Sequence, residues 1–259
     1  MSAMTEDRPT LDISHTLRVP MTRLVRVELR KMADTRAGRW LLIAIAAITA
    51  AIIVIFFFAA PDSEQTIFNF VGITATPQAF LLPVMGILLI TSEWSQRTAM
   101  VTFTLSPVRG RVLVAKVVAA LLLGFAAVAI ALGVAALATV AGGASDPWQG
   151  FGWDAIGKFA LLQTIGVLQG LAFGLLVMSS AAAIVLYFVL PNAFTILAEL
   201  WSKLADIRPW VDLGFSSTPL FTPGDVTGEQ WLNLASGAAI WVLLPCVLGT
   251  LRVLRSEVK

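Results

Sequence analysis

Long apolar runs separated by short polar segments dominate this chain and predict an all-α, polytopic membrane protein. The first run, residues 40–60, holds 21 residues without a charge or a proline. About 20 apolar helical residues are enough to cross the hydrocarbon core of a bilayer. By this criterion we predict a transmembrane domain over 40–252 with six spans, at about 40–60, 70–91, 112–141, 159–178, 181–201 and 231–250.

The split between the fourth and fifth spans rests on length and on charge. Residues 159–198 form a stretch of 40 positions without a formal charge. Such a stretch is too long for one crossing and long enough for two. We place the break near Met178, Ser179 and Ser180. After these spans we expect an outer loop over 202–230, because this region is rich in Pro, Asp, Gly and Thr.

The N-terminal region, residues 1–39, is predicted to be a cytoplasmic tail with an amphipathic interfacial helix at 21–32. Arg23, Arg26 and Arg30 fall on one face of this helix. Apolar side chains recur at helical spacing on another face: Met21, Leu24, Val25, Leu29 and Met32. Such a helix lies among lipid headgroups, and the alternative is a solvated basic tail. Segment 1–20 lacks the pattern of a signal peptide, so we expect the first span to be retained.

Positive charges predict the orientation of the six spans. Of the 18 Lys and Arg residues, eight precede the first span, four follow the second, and three lie in the tail 251–259. Lys158, Lys203 and Arg208 fall on the opposite side. Cytoplasmic segments carry the excess of Lys and Arg in membrane proteins. We therefore predict a protein of the plasma membrane with both termini cytoplasmic.

The composition and the missing motifs argue against a soluble enzyme. The chain is 58% hydrophobic and 13% charged, with a mean hydropathy of +0.84, whereas soluble domains are about a quarter charged. The sequence has no phosphate-binding loop, no nucleophile elbow and no zinc-binding motif. His15 and Cys246 are its single His and Cys. We expect no catalytic residue, no metal site and no nucleic-acid partner.

Polar and small residues on the fourth span have more than one interpretation. Gly166, Gly170 and Gly174 recur every four residues, which favours close helix packing within the chain or at a dimer seam. Gln163 and Gln169 are costly in lipid, so we expect them to bond to neighbouring helices or to line a cavity.

Charged residues near the spans are few. Lys116 is close enough to the start of the third span to extend its ammonium group to the interface. Glu199, near the outer end of the fifth span, either touches a substrate, pairs with Lys203, or is an interfacial carboxylate beside Trp201 and Trp210. Ion-coupled carriers usually place ionisable groups near mid-membrane, so this scarcity disfavours a carrier.

Residues 92–107 predict a short cytoplasmic helix between the second and third spans. Glu93 and Arg97 are four residues apart, in the favourable order for a helical ion pair, and Pro107 ends the helix. One mostly apolar face follows the spacing i, i+4, i+7, i+11: Trp94, Thr98, Val101 and Leu105. The spacing is compatible with docking to another protein or with a surface-lying helix that has no partner.

The order Glu93-x-x-x-Arg97-Thr98, then Leu105-x-Pro107-x-Arg109, then Lys116, resembles permease subunits of ABC transporters of the type-2 exporter class. The resemblance covers nearly the whole chain. The basic segment before the first span resembles their connecting helix. The run from Ser179 to Pro191 resembles their junction of spans four and five, and 251–255 resembles their basic C-terminal end.

The resemblance implies a division of labour between subunits. A separate ABC ATPase subunit, carrying ATP and Mg²⁺, would dock on the cytoplasmic face, while this chain would hold no cofactor. A second permease chain, in a homodimer or a heterodimer, would complete the pathway within the membrane lipids. Residues 92–107 would form the coupling helix, with Glu93, Arg97 and Thr98 fixing its pose and Arg109 anchoring its exit at the headgroups. Its remaining contact residues would be Trp94, Val101, Leu105 and Pro107.

The leading hypothesis is therefore the permease subunit of an ATP-driven exporter. One alternative is a non-transporting membrane scaffold, such as an immunity or assembly protein of similar shape. A secondary carrier is a weaker alternative, because intramembrane charges are scarce. A membrane enzyme is weaker still, because the sequence shows no catalytic set.

Overall fold

A computed structural model describes residues 19–96 and 108–255, which form helices joined by short connections and contain no strand. The helices are α1 (Met21–Asp34), α2 (Arg36–Ala59), α3 (Ile67–Ser95), α4 (Arg109–Ala141), α5 (Trp153–Val177), α6 (Ser180–Leu200), α7 (Ser202–Ala205), α8 (Arg208–Val211), α9 (Leu213–Ser216) and α10 (Gly228–Arg255). Helix α10 contains a π-helical segment, Ala239–Leu243.

The prediction of an all-α fold with six long apolar helices is confirmed. Helices α2 to α6 and α10 are each long and apolar enough to cross a membrane. Their lengths of 21 to 33 residues match or exceed the number needed to span the hydrocarbon core. These are the features of a multi-pass membrane protein.

Threonine side chains start three of these helices. Thr35 Oγ1 accepts a hydrogen bond from the Gly38 amide at 3.2 Å, and so begins α2. Thr66 caps α3 in the same way. Thr227 forms a capping box with Gln230 at the start of α10, in which each side chain accepts from the other residue's backbone amide. Such caps satisfy amide groups that a helix leaves without a partner at its first turn.

Helices α3 and α5 form the centre of the bundle. In the most apolar stretch of each helix, 61% of the residues of α3 and 50% of those of α5 are buried, compared with 11% for α6. Glycines allow the two central helices to approach each other: a Cβ atom on Gly170 would collide with the Pro83 carbonyl oxygen, and one on Gly86 would lie 2.7 Å from the Val167 oxygen. The glycine stripe of α5 therefore packs within the chain.

Both ends of the described chain lie at one end of the bundle, which we call the terminal end. Arg111 donates to the Val19 carbonyl oxygen at 2.7 Å, and Arg109 donates to that of Val253 at 2.9 Å. The opposite end, which we call the loop end, holds the connections 60–66, 142–152 and 201–227. Here the Ile67 amide donates to the Pro147 carbonyl oxygen at 2.9 Å.

The helices differ from the predicted spans mainly at their ends. The second span was expected to end at residue 91, yet α3 continues to Ser95 and includes the charged Glu93. The break between spans four and five falls at 178–179, where Met178 takes a left-handed conformation with φ 58°. The region 202–230, expected as a loop, contains α7, α8, α9 and a 3₁₀ turn (Thr218–Phe221).

Helix α1 begins where the amphipathic helix was predicted and ends two residues later. Its apolar side chains, Val25 and Met32 among them, join the core formed by α3, α4 and α5. That the helix lies among lipid headgroups stays a prediction. Its apolar face packs against the bundle, where Glu28 and Lys31 pair with charged residues of α3 and α4.

Candidate functional site

Four charged side chains from three helices meet inside the terminal end of the bundle; we call them the charge cluster. They are Glu28 and Lys31 of α1, Glu93 of α3 and Lys116 of α4. The Lys116 side chain is fully buried and those of Glu93 and Glu28 are 2% and 4% exposed, whereas that of Lys31 is 32% exposed. Two carboxylates and two ammonium groups give the cluster no net charge.

Lys116 lies at the centre of the charge cluster. Its Nζ donates hydrogen bonds to Glu28 Oε2 at 2.8 Å and to the Leu89 carbonyl oxygen at 2.9 Å, and it lies 3.3 Å from Glu93 Oε1 in an ion pair. The ammonium group is therefore surrounded by three oxygen atoms from two other helices. The expectation that Lys116 reaches the interface is wrong, because α1 and α3 bring carboxylates to its buried position.

Lys31 closes the cluster on its outer side. Its Nζ lies 2.7 Å from Glu28 Oε1 and 2.8 Å from Glu93 Oε1. Burial opposes the charge on Lys31, but the attraction of Glu28 and the hydrogen bonds to both carboxylates outweigh it and raise the pKa of Lys31 above its ordinary value. Glu93 Oε2 is a buried atom without a hydrogen-bond partner in the described part of the chain.

Helical spacing explains how α1 reaches the cluster. Val25, Glu28 and Met32 are its buried residues, at i, i+3 and i+7, so a charged residue occupies a position on the apolar face. Lys116 likewise lies among the buried Val112, Ala115 and other small residues of α4. The signal in the sequence was a charged residue at an otherwise apolar position of a helix, Glu28 in α1 and Lys116 in α4. Nothing in the spacing of these residues indicated that they pair with each other.

The predicted coupling residues fall into two groups. Glu93 and Trp94 lie in the last turn of α3, with Trp94 packed beside the main core, and Arg109 begins α4. The others lie outside the described residues: Arg97, Thr98, Val101, Leu105 and Pro107. The Glu93 carboxylate is engaged by Lys31 and Lys116, so its visible role is inside the chain. The assignment of 92–107 as a coupling helix stays a prediction.

Three hydroxyl groups attach the turn between α5 and α6 to the end of α3. Ser180 Oγ lies 2.7 Å from Thr91 Oγ1 and 2.9 Å from Ser95 Oγ. Thr91 also donates to the Ile87 carbonyl oxygen at 2.8 Å. These bonds attach the turn to the last two turns of α3, the part of the helix that also carries Glu93.

A pocket of about 330 Å³ opens on the other part of the bundle, between α3, α5, α6 and the short helices of the loop end. Aromatic rings form much of its wall: Phe80, Tyr187, Phe188 and Phe221. Polar side chains are interspersed among them: Gln169, Asn192, Thr195, Asp212 and Ser217. Mixed aromatic and polar walls of this kind are typical of small-molecule sites. We call this space the loop-end pocket.

The rings of the loop-end pocket hold one another in place. Phe80 of α3 stacks on Phe188 of α6 with centroids 5.6 Å apart, and Tyr187 contacts Phe188 edge to face at 4.9 Å. The Tyr187 hydroxyl donates to the Ala79 carbonyl oxygen at 3.3 Å. The pocket wall on α6 is therefore attached to α3 by both packing and a hydrogen bond.

Asp212 organises the outer wall of the pocket. Its Oδ2 accepts from Thr195 Oγ1 at 2.9 Å and from Arg208 Nε at 3.2 Å, and its Oδ1 caps α9 through the Phe215 amide. Arg208 also pairs with Glu199 at 3.0 Å. The suggested pairing of Glu199 with Lys203 is therefore wrong, because the turn after α7 brings Arg208 back to α6. Glu199 itself is more than half exposed and does not line the pocket.

The two glutamines of α5 have different surroundings. Gln163 is buried, and its amide nitrogen donates to Gln78 Oε1 at 3.1 Å across the α3–α5 contact. Gln169 faces the loop-end pocket and makes no hydrogen bond to another residue that the structure describes. Of the alternatives that the sequence left open, Gln163 takes the interhelical bond and Gln169 lines a cavity.

The fold and these two sites describe a six-helix membrane protein with a closed ionic cluster at one end and an open polar pocket towards the other. No known protein-family model matches the chain, and no curated protein sequence is significantly similar to it.

Proposed function

We propose that this chain is the permease subunit of an ATP-driven exporter, and that the loop-end pocket is part of its substrate pathway. The observation that carries the proposal is the pocket itself, a space of about 330 Å³ between three membrane-length helices with aromatic and polar walls. A scaffold has no need of such a space, whereas a transported molecule requires one.

The energy source in this proposal is a separate ATPase subunit. The resemblance of 92–107 to a coupling helix places its contact at the terminal end, where the excess of positive charge predicts cytoplasm. The charge cluster supports this arrangement, because it joins α1 to α3, which precedes that segment, and to α4, which follows it. A movement of the segment would reach all three helices together.

A secondary carrier is the second candidate, and one observation favours it. The charge cluster contains a buried carboxylate oxygen, Glu93 Oε2, that has no hydrogen-bond partner among residues 19–96 and 108–255, and buried carboxyl groups can carry protons in transporters. The cluster lies at the terminal end of the helices, and its charges neutralise one another. Its position and its internal pairing fit a joint between helices better than a site that alternately binds and releases an ion.

The first test is recovery of the partner. The tagged chain, extracted from its own cells in mild detergent, should co-purify with a P-loop ATPase and should hydrolyse no ATP without it. Val101→Glu and Leu105→Glu, on the predicted docking face, should abolish co-purification. Ala33→Glu, which adds the same charge at an exposed position of α1, should not.

The proposal fails if the wild-type chain recovers no ATPase and the purified protein moves solute on a proton gradient alone. The role of the pocket is tested separately, by profiling of lipids and metabolites exported from cells with and without the chain. Gln169→Leu should reduce export of the molecules so identified while ATPase co-purification is kept. Gln149→Leu, the same change at an exposed position of the 142–152 connection, should leave export unchanged.

A further inference from the structure

Three arginines of α1 form a basic face that points away from the bundle. Arg23, Arg26 and Arg30 are all exposed and, at 100° per residue, fall within an arc of about 60°. The buried positions of the same helix, including Glu28 and Met32, lie on the opposite side. Since Glu28 is bound to Lys116 and Lys31, α1 cannot rotate to bury its arginines without breaking the charge cluster.

The charges on this face are not neutralised by the described residues. No carboxylate in 19–96 or 108–255 pairs with Arg23, Arg26 or Arg30. Arg36 and Arg39, in the first turn of α2, are exposed as well. Between the arginines of α1 runs an open concavity, to which Pro20, Thr22 and Val27 also contribute. A helix face with three such cations calls for an anionic partner.

Exposed apolar groups indicate that the partner is a lipid. Trp40 is 70% exposed in the second turn of α2, and tryptophan at the end of a membrane helix is typical of the headgroup level. A single residue, Thr35, separates α1 from α2. Val27, 44% exposed, lies among the arginines. Apolar and cationic groups side by side fit the boundary between acyl chains and phosphates better than they fit water.

We propose that the Arg23–Arg26–Arg30 face of α1 binds anionic phospholipid headgroups, with guanidinium groups donating paired hydrogen bonds to the phosphodiester oxygens. The charge cluster positions this face by holding the other side of the helix. This inference does not depend on the transport function proposed above, because a scaffold or a carrier with the same α1 would bind the same lipids.

The test measures the lipid composition next to α1 in the full-length chain. A fluorophore is attached at Val27→Cys in a Cys246→Ala background, and the protein is reconstituted in vesicles of 70% phosphatidylcholine and 30% phosphatidylglycerol. In one sample phosphatidylglycerol carries a nitroxide near its headgroup, and in a second sample phosphatidylcholine carries it. The quenching of the fluorophore in the two samples reports which lipid is enriched beside α1. We expect phosphatidylglycerol to be enriched about fivefold for each arginine that engages it, and less at high salt.

Matched variants separate charge from structure. In the triple variant Arg23→Gln, Arg26→Gln, Arg30→Gln, quenching by labelled phosphatidylglycerol and by labelled phosphatidylcholine should stand in the ratio of these lipids in the bulk membrane. The corresponding Arg→Lys triple variant should keep part of the enrichment, because the charge remains while the paired hydrogen bonds are lost. Quenching in the ratio of the bulk lipids in the unaltered arginine background would overturn the proposal.

Two other occupants of the basic face would give distinct results. If the acidic N-terminal tail covers it, Glu6→Gln with Asp7→Asn and Asp12→Asn would be needed before any enrichment appears. If a protein covers it, the fluorophore would be shielded from a neutral aqueous quencher only when that protein is added, whatever the lipid. Either result would contradict lipid binding by the wild-type chain.

Discussion

The terminal end and the loop end of this bundle bury polar groups in opposite ways. At the terminal end Glu28, Lys31, Glu93 and Lys116 pair with one another at 2.7–3.3 Å, and only one carboxylate oxygen of the cluster, Glu93 Oε2, lacks a hydrogen-bond partner among the described residues. At the loop end the side chain of Gln169 faces an open pocket and has no hydrogen-bond partner in the described part of the chain. The difference teaches that a buried charge does not by itself mark a binding site. What distinguishes the two regions is whether the polar groups already have partners within the chain.

The largest effect is expected from removing the central cation of the charge cluster. Lys116→Met leaves Glu28 and Glu93 as buried carboxylates beside a single ammonium group. Breaking a buried ion pair from one side costs about 3–5 kcal/mol of unfolding free energy. The lone cysteine, Cys246, is partly buried, so the temperature at which it reacts with a thiol-specific dye in detergent measures unfolding.

Two controls sharpen this measurement. Lys203→Met removes an exposed lysine at the loop end and should leave the unfolding temperature unchanged. Adding Glu93→Gln to Lys116→Met should recover part of the loss, because one unpaired charge disappears with its partner. An unchanged unfolding temperature for Lys116→Met would show that the cluster does not hold the terminal end together.

A smaller effect is expected at the seam between α3 and α5, which joins the two regions. Gly170→Ala places a methyl group against the Pro83 carbonyl, whereas the nearest atom to a Cβ on Gly166 lies 3.5 Å away. Forcing one extra carbon into a packed contact costs about 1–3 kcal/mol. Gly170→Ala should lower the unfolding temperature and Gly166→Ala should not. Equal behaviour of the two variants would contradict the close approach of these helices.

The sequence predicted the outline of the bundle because length and hydropathy are local properties. Six apolar runs mark the six long helices within a few residues, and the repeat of Gly170 and Gly174 indicated close packing. The end of α3 was predicted four residues too early, because a charged residue such as Glu93 normally marks the end of an apolar run. Its charge is tolerated there only through Lys31 and Lys116, which lie on other helices.

The two sites were less predictable than the helices, because each depends on contacts between distant parts of the chain. Lys116 and Glu28 are 88 residues apart, and no helical period relates them. The loop-end pocket needs Arg208 and Asp212 to fold back onto α6. Gln169 could be named as a cavity candidate from its cost in lipid, but the aromatic wall around it, formed by Phe80 and Phe188, had no sequence signature.

The smallest effect is expected at the outer edge of the charge cluster, where Lys31 is about one-third exposed. Folding raises the pKa of Lys31, so its contribution to stability is fully present below the unfolded pKa, about 10.4, and is lost as the pH rises through the folded value. The difference in unfolding temperature between wild type and Lys31→Met should therefore be constant from neutral pH to about pH 10 and should shrink above it. Arginine keeps its charge at these pH values, so the difference in unfolding temperature between Lys31→Arg and Lys31→Met should stay constant above pH 10 as well. If the wild-type difference persisted to the most alkaline pH tested, packing of the Lys31 chain, and not its charge, would be what joins α1 to the terminal end.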